Sequence, residues 1–138
     1  MDWKKESMEL LQQHITKKRA LRNIRERYHL LEDQMELLNN CSDRVPRRQE
    51  RMIDSIAEKE QLLLAYRLNK QQVDWVERGL AALDERERQV LDNFYISTCP
   101  CSRQELMEQL CIERSALYDL KDRALRHFTL AMYGQLEQ

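Results

Sequence analysis

Cysteine and histidine are the side chains best suited to nucleophilic or metal chemistry in this sequence, and their spacing supports neither. Cys99 and Cys101 form a Cys-Pro-Cys segment rather than the Cys-x-x-Cys pair of zinc and redox sites, and His14, His29 and His127 stand at no ligand spacing from them. A reactive thiolate needs a neighbouring imidazole or an electropositive cradle, and neither adjoins this segment in the sequence. No glycine-rich phosphate loop, no nucleophile with a base partner and no paired carboxylates in a plausible pocket is visible. The expectation is a protein that is not an enzyme and uses no cofactor or metal. With no export signal at the Met1 end, Cys41, Cys99, Cys101 and Cys111 are expected as reduced thiols of a cytoplasmic protein.

What remains for function is polar and charged side chains presented on helices. Only two Gly and two Pro interrupt 138 residues rich in Leu, Glu, Arg, Gln and Lys, which predicts an all-α fold with long helices. Charged residues make up 34% of the chain and nearly cancel to a net charge of -1, so the surface is densely but not uniformly charged. No apolar run approaches the roughly 18 residues of a membrane span, and no membrane partner is expected.

From Trp3 to Leu38 the apolar residues keep helical spacing, and Leu21, Ile24, Tyr28, Leu31, Met35 and Leu38 alternate steps of three and four as a heptad seam does. Asn39 to Val45, ending at Pro46, reads as a break. A second helix is expected to begin at Pro46 and run to about Leu83, with Met52, Ile56, Leu63, Tyr66, Val73, Val76, Leu80 and Leu83 as its stripe. Lys59 and Lys70 interrupt that stripe and its phase shifts near Val73, so the seam is imperfect. Gly79 within it suggests a bend or hinge. Two long helices with a short connection pack antiparallel, giving a helical pair over 1–83. Trp3 and Trp75 either anchor layers or meet a partner protein, whereas Tyr28 and Tyr66 are packing residues.

The region 84–138 reads as a separate domain. Asp84 with Glu87 is a capping box that opens a helix carrying Val90, Leu91, Phe94 and Tyr95, and Ser102 with Glu105 is a second one before Leu106, Met107 and Leu110. A third helix is expected from about Arg114 to Met132, with Leu117, Leu120, Ala124, Leu125 and Phe128 inward and Gly134 as its C-terminal cap. A short helix, a tight turn at Cys111-Ile112-Glu113 and a second helix polar on one side have the anatomy of a helix-turn-helix.

At residue level, Leu83-Asp-Glu-Arg-Glu-Arg-Gln-Val-Leu, then Tyr95, then Ser102-Arg-Gln-Glu-Leu-Met-Glu-Gln-Leu-Cys-Ile, then Ser115-Ala-Leu-Tyr-Asp-Leu-Lys-Asp-Arg-Ala-Leu resembles region four of bacterial sigma factors over roughly Leu80 to Phe128. The ending Lys121-Asp-Arg-Ala-Leu-Arg-His-Phe-Thr-Leu-Ala-Met-Tyr-Gly, preceded by a helical region, is similar to the ArpU type of phage and prophage regulators. That resemblance implies a sigma region-four-like helix-turn-helix bundle that binds double-stranded DNA and controls late gene expression. It also implies that Arg114, Ser115, Tyr118 and Asp119 face DNA from the start of the last helix, with Arg123 a turn further on. Arg114 suits a bidentate contact with guanine and Ser115 a base or phosphate. Lys121, Arg103 and Arg126 suit backbone phosphates, which give affinity without sequence information.

Cys111 stands where the turn residue is usually Gly, and its Cβ disfavours a positive φ. Residues 102–138 carry five Lys or Arg against six acids, so one copy is expected to bind DNA weakly, with a homodimer through the N-terminal helices or RNA polymerase supplying the rest. Residues 2–29 hold eight Lys or Arg against four acids, which reads chiefly as a solvated helix face. Two rival readings are a small terminase-like packaging protein and a polymerase-docking protein that does not touch DNA.

Overall fold

The computed structural model describes residues 2–40 and 46–136, and these form an all-α protein. Helix α1 spans Trp3–Asn40, α2 Arg48–Ala81, α3 Glu85–Leu91, α4 Arg103–Leu110 and α5 Arg114–Tyr133, with a π-helical turn at Asp92–Ile96 directly after α3. No glycine or proline interrupts α1, so each residue added to it gains a backbone hydrogen bond without a breaker's penalty. The expected break begins later than Asn39, because α1 includes Asn39 and Asn40; the rest of that segment, Cys41 to Val45, lies outside the described residues. Helix α2 starts at Arg48 rather than Pro46: Arg47 has φ 56°, a left-handed conformation that a right-handed helix cannot contain. None of these helices is long and apolar enough to cross a membrane.

Packing divides the chain into two compact units, 1–16 with 72–138 and 17–71. This division does not fall at residue 84, since the start of α1 and the end of α2 share a core with α3–α5. Leu11 and Val76 are fully buried beside Val90, Leu91, Leu106, Leu117, Ala124 and Phe128. Trp3 and Trp75 are part of this unit too, with ring centroids 4.6 Å and 5.5 Å from that of Tyr133. Buried His14 bonds through Nε2 to Glu77 Oε1 at 3.0 Å.

Gly79 is not a hinge. Helix α2 continues through it, and the residue is buried where α2 meets α5. A Cβ built there would lie 2.4 Å from Met132 Sδ and 2.9 Å from Phe128 Cε1, so any larger residue requires those side chains to shift.

In the unit 17–71, partners fall from Tyr66 to Arg48 in α2 as residue numbers rise from Arg25 to Asn39 in α1: Arg25 bonds Tyr66 Oη at 2.7 Å, Arg27 bonds Glu58 at 2.9 Å, and Arg48 donates to the Asn39 carbonyl at 3.1 Å. The α1 seam turns inward as its spacing predicts, with Leu31 buried and Leu21, Ile24, Tyr28, Met35 and Leu38 half-buried. The α2 stripe holds at Met52, Tyr66, Val73, Val76, Leu80 and Leu83 and is displaced at two positions. Ile56 and Leu63 are exposed, while Met52, Ser55, Lys59, Leu62, Tyr66 and Asn69 form the half-buried line. Lys59 does not break that line, because its Nζ sits 4.7 Å from the centre of the Tyr28 ring and 3.6 Å from Glu32 Oε2.

Candidate nucleic-acid interface

The site is built by α4, α5 and the π-turn that directly follows α3. At α3, the Glu87 N–H donates to Asp84 Oδ1 at 2.8 Å and the Asp84 N–H to Glu87 Oε1 at 3.4 Å, completing the expected capping box. The bond from the Glu87 N–H above all, with the Arg123 charge adding, holds the Asp84 carboxyl below the usual carboxylate range. The other oxygen of the buried Glu87 meets His127 Nδ1 at 2.5 Å, so one carboxylate ties the start of α3 to α5. Ser102 caps α4 by accepting from the Glu105 N–H at 3.1 Å, in a one-sided cap rather than a reciprocal box.

After Leu91 the backbone widens into the π-turn, which closes with the Ser97 N–H on the Asp92 carbonyl at 2.8 Å. An inserted residue of this kind rotates every later side chain about the helix axis. Asn93 and Ile96 are consequently buried, and Phe94 and Tyr95, expected as inward positions, are half-buried. Burial pushes the Tyr95 hydroxyl pKa up. Asn93 Oδ1 accepts from Cys101 Sγ at 3.2 Å, which anchors the Cys-Pro-Cys segment to this turn. Cys99, Cys101 and Cys111 are free thiols, and Cys41 lies outside the described residues. No group of three or more potential metal-binding side chains occurs among the described residues.

The turn between α4 and α5 takes the conformation that Cys111 was expected to resist. Cys111 has φ 57° and ψ 45°, and its N–H and that of Ile112 close on the carbonyls of Glu108 and Met107 at 3.3 Å and 3.1 Å. These two bonds, with a long contact from Cys111 Sγ to Glu108 O at 3.6 Å, offset the cost of the left-handed residue. On α4 Leu106 and Leu110 are buried and Met107 is half-buried; on α5 Leu117, Leu120, Ala124, Leu125 and Phe128 are buried, as the helical spacing predicts. Arg86 donates to the Leu110 carbonyl at 3.1 Å, fixing the end of α4 to α3.

Three of the eight candidate residues gather around Phe94, and a fourth, Arg114, meets one of the three. The Arg103 guanidinium carbon lies 3.6 Å from the Phe94 ring centre, and Tyr118 meets the same ring edge-on at 5.8 Å. Lys121 Nζ is 5.9 Å from both rings, and Arg114 is 5.9 Å from Tyr118. Lys121 also pairs with Asp122 at 2.8 Å, and that hydrogen bond, more than any other influence, raises its pKa. The remaining candidates stand apart from this cluster. Arg123 adds its charge to the Asp84 cap, and Ser115, Asp119 and Arg126, spaced by four and seven, form an exposed line along α5 with Asp122.

Phe94 is the residue that sequence reasoning missed. Its apolar spacing assigns it to the core, and only the widened turn brings its face to the cations. The single advance signal was the conjunction of an aromatic residue there with Arg103 and Tyr118, which periodicity alone does not link. No family model, curated protein or solved structure matches this chain.

Proposed function

We propose that the chain is a sequence-specific, non-catalytic regulator of phage or prophage transcription, in which α4 and α5 act as a sigma region-four-like helix-turn-helix and α5 reads duplex DNA. The observation that carries this reading is the convergence of Arg103, Tyr118 and Lys121 on Phe94, with Arg114 at the exposed start of α5 against Tyr118. Aromatic packing of this kind limits the freedom of long cationic side chains before a phosphate backbone arrives, which lowers the entropy lost on binding. In this account Arg114 and Ser115 reach base edges, Tyr118 packs on sugar or a thymine methyl, and Arg103 and Arg126 neutralise phosphates. The long α1 and α2 serve as an antiparallel pair for self-association or polymerase docking, in a cytoplasmic protein.

Fluorescence anisotropy with labelled duplexes at two salt concentrations tests the interface. Replacing Arg103 or Arg126 with Ala should lower affinity on every sequence and reduce the salt dependence by about one counterion each. Identical binding by both variants and the natural protein would contradict the assignment. One observation favours a second reading: the exposed line of α5 carries two carboxylates, Asp119 and Asp122, which suit a basic protein surface better than phosphate. Docking to RNA polymerase without DNA contact would then appear as no duplex binding at either salt and retention of the chain on purified polymerase.

A further inference from the structure

Among the described residues, large exposed hydrophobic side chains are concentrated in the unit 17–71, which holds Leu30, Leu37, Ile53, Ile56, Leu63, Leu64 and Leu68, against Leu130 alone in the other unit. Ile53 is 65% exposed and Leu64 and Leu68 are each 59% exposed, while Leu31 is the one buried hydrophobic residue among the described residues of this unit. Two helices facing each other across one seam cannot enclose a core of ordinary thickness, and an apolar stripe on the far side of a helix requires a cover.

The outward residues of α2 are ordered. Ile53, Ile56, Glu60, Leu63 and Arg67 follow steps of three and four, so they form a second heptad seam beside the inward line of Met52, Ser55, Lys59, Leu62 and Tyr66. Glu60 and Arg67 both occupy exposed positions on this outer seam, one turn to either side of Leu63 and Leu64. Two copies laid parallel and in register would set Glu60 against Glu60 and Arg67 against Arg67, an unfavourable pairing in a partly desolvated layer. An antiparallel two-fold arrangement centred between Leu63 and Leu64 reverses the sign: Glu60 of each copy meets Arg67 of the other, and the leucines meet at the centre.

We infer that the outer face of α2, Ile53 to Leu68, is the homodimer interface of this protein, and that its partner is a second copy bound antiparallel through reciprocal Glu60–Arg67 pairs. This specifies the self-association part of the function proposed above and does not depend on DNA contact. The interface uses residues of the unit 17–71 and none of α4 or α5, so sedimentation reads dimerisation and duplex anisotropy reads DNA contact as separate properties.

Sedimentation equilibrium of the full chain and three charge variants tests it. The natural protein should sediment as a dimer of two 16.7 kDa chains. Glu60→Arg and Arg67→Glu should each weaken the dimer at least ten-fold, because each places two like-charged pairs in the interface. The double variant Glu60→Arg with Arg67→Glu should regain the natural dissociation constant, and an equimolar mixture of the two single variants should form a mixed dimer. Unchanged helical circular dichroism in the single variants separates lost pairing from lost folding, and Leu64→Glu provides a further disruption at the centre. A natural protein that stays monomeric at high micromolar concentration overturns the inference, as do single variants that dimerise as tightly as it does. Weakened single variants with no recovery in the double variant overturn the antiparallel pairing. Duplex anisotropy on the same samples shows whether DNA binding survives, so loss of one property is read apart from loss of the other.

Discussion

The Arg103 guanidinium carbon lies over Phe94, 3.6 Å from the ring centre, linking the first residue of α4 to the π-turn. The stack holds a cation at the edge of the proposed DNA face. Phe94→Leu keeps an apolar side chain but removes the quadrupole, so duplex affinity should fall about two- to five-fold, corresponding to ~0.5–1 kcal/mol for an exposed cation–aromatic contact. Anisotropy titration against one duplex, with thermal melting to confirm folding, checks this. Equal affinity would mean that Phe94 does not position Arg103 for binding.

Gly79 of α2 is buried against Met132 and Phe128 of α5. Ala is the better helix former by ~1 kcal/mol, yet Gly79→Ala should destabilise the fold by about 1–3 kcal/mol because the added Cβ overlaps Met132 Sδ and Phe128 Cε1. Combining it with Met132→Ala should recover part of that loss, since the second change frees the space the first one needs. Urea denaturation of the single and double variants measures the coupling. A Gly79→Ala protein more stable than the natural one would show that the Met132 and Phe128 side chains repack around the added Cβ at little cost.

Cys111 is a non-glycine residue in the left-handed region, at φ 57°. Cys111→Gly removes the Cβ strain and should stabilise the protein by about 1 kcal/mol, reduced by the greater freedom glycine has in the unfolded chain. Cys111→Val, with a branched Cβ, should destabilise it. Chemical denaturation of the pair checks the order, and the reverse order would place the turn in another conformation.

Asp84 links stability to pH. Its carboxyl is held below its ordinary range, chiefly by the Glu87 N–H, so the charged form is favoured by folding. The contribution is fully present above the ordinary carboxylate pKa and is lost as pH falls through the lowered folded-state value. Asp84→Asn should therefore show a shallower loss of stability on acidification than the natural protein, measured by urea midpoints from neutral pH into the acid range. Parallel curves would remove Asp84 from the acid response.

The helices, the Asp84–Glu87 capping box, the inward line of α5 from Leu117 to Phe128 and the Gly134 cap were all legible, because each rests on local spacing or on a few neighbouring residues. The parts that escaped depend on contacts distant in the chain. Either of two adjacent lines on α2 has helical spacing, and only packing against α1 selects Leu62 over Leu63 as the inward one. Gly79 looks like a weak point until Phe128 and Met132 arrive against it from another helix. The π-turn has no residue signature in Asp92-Asn-Phe-Tyr-Ile, so the turning of Phe94 towards Arg103 was hidden even though Arg103, Tyr118 and Lys121 were individually marked. Cys111 shows the opposite failure: local preference argued against a left-handed residue, and the helix-end hydrogen bonds of Cys111 and Ile112 outweighed it.

The central claim is that the exposed start of α5 reads duplex sequence. Selection from a randomised duplex library, with the natural protein and with Arg114→Ala at low and raised salt, tests it most directly. The account predicts a recurrent motif that survives the raised salt with the natural protein and loses definition at one or more base positions with Arg114→Ala. No motif at either salt, or the same motif with both proteins, would contradict it.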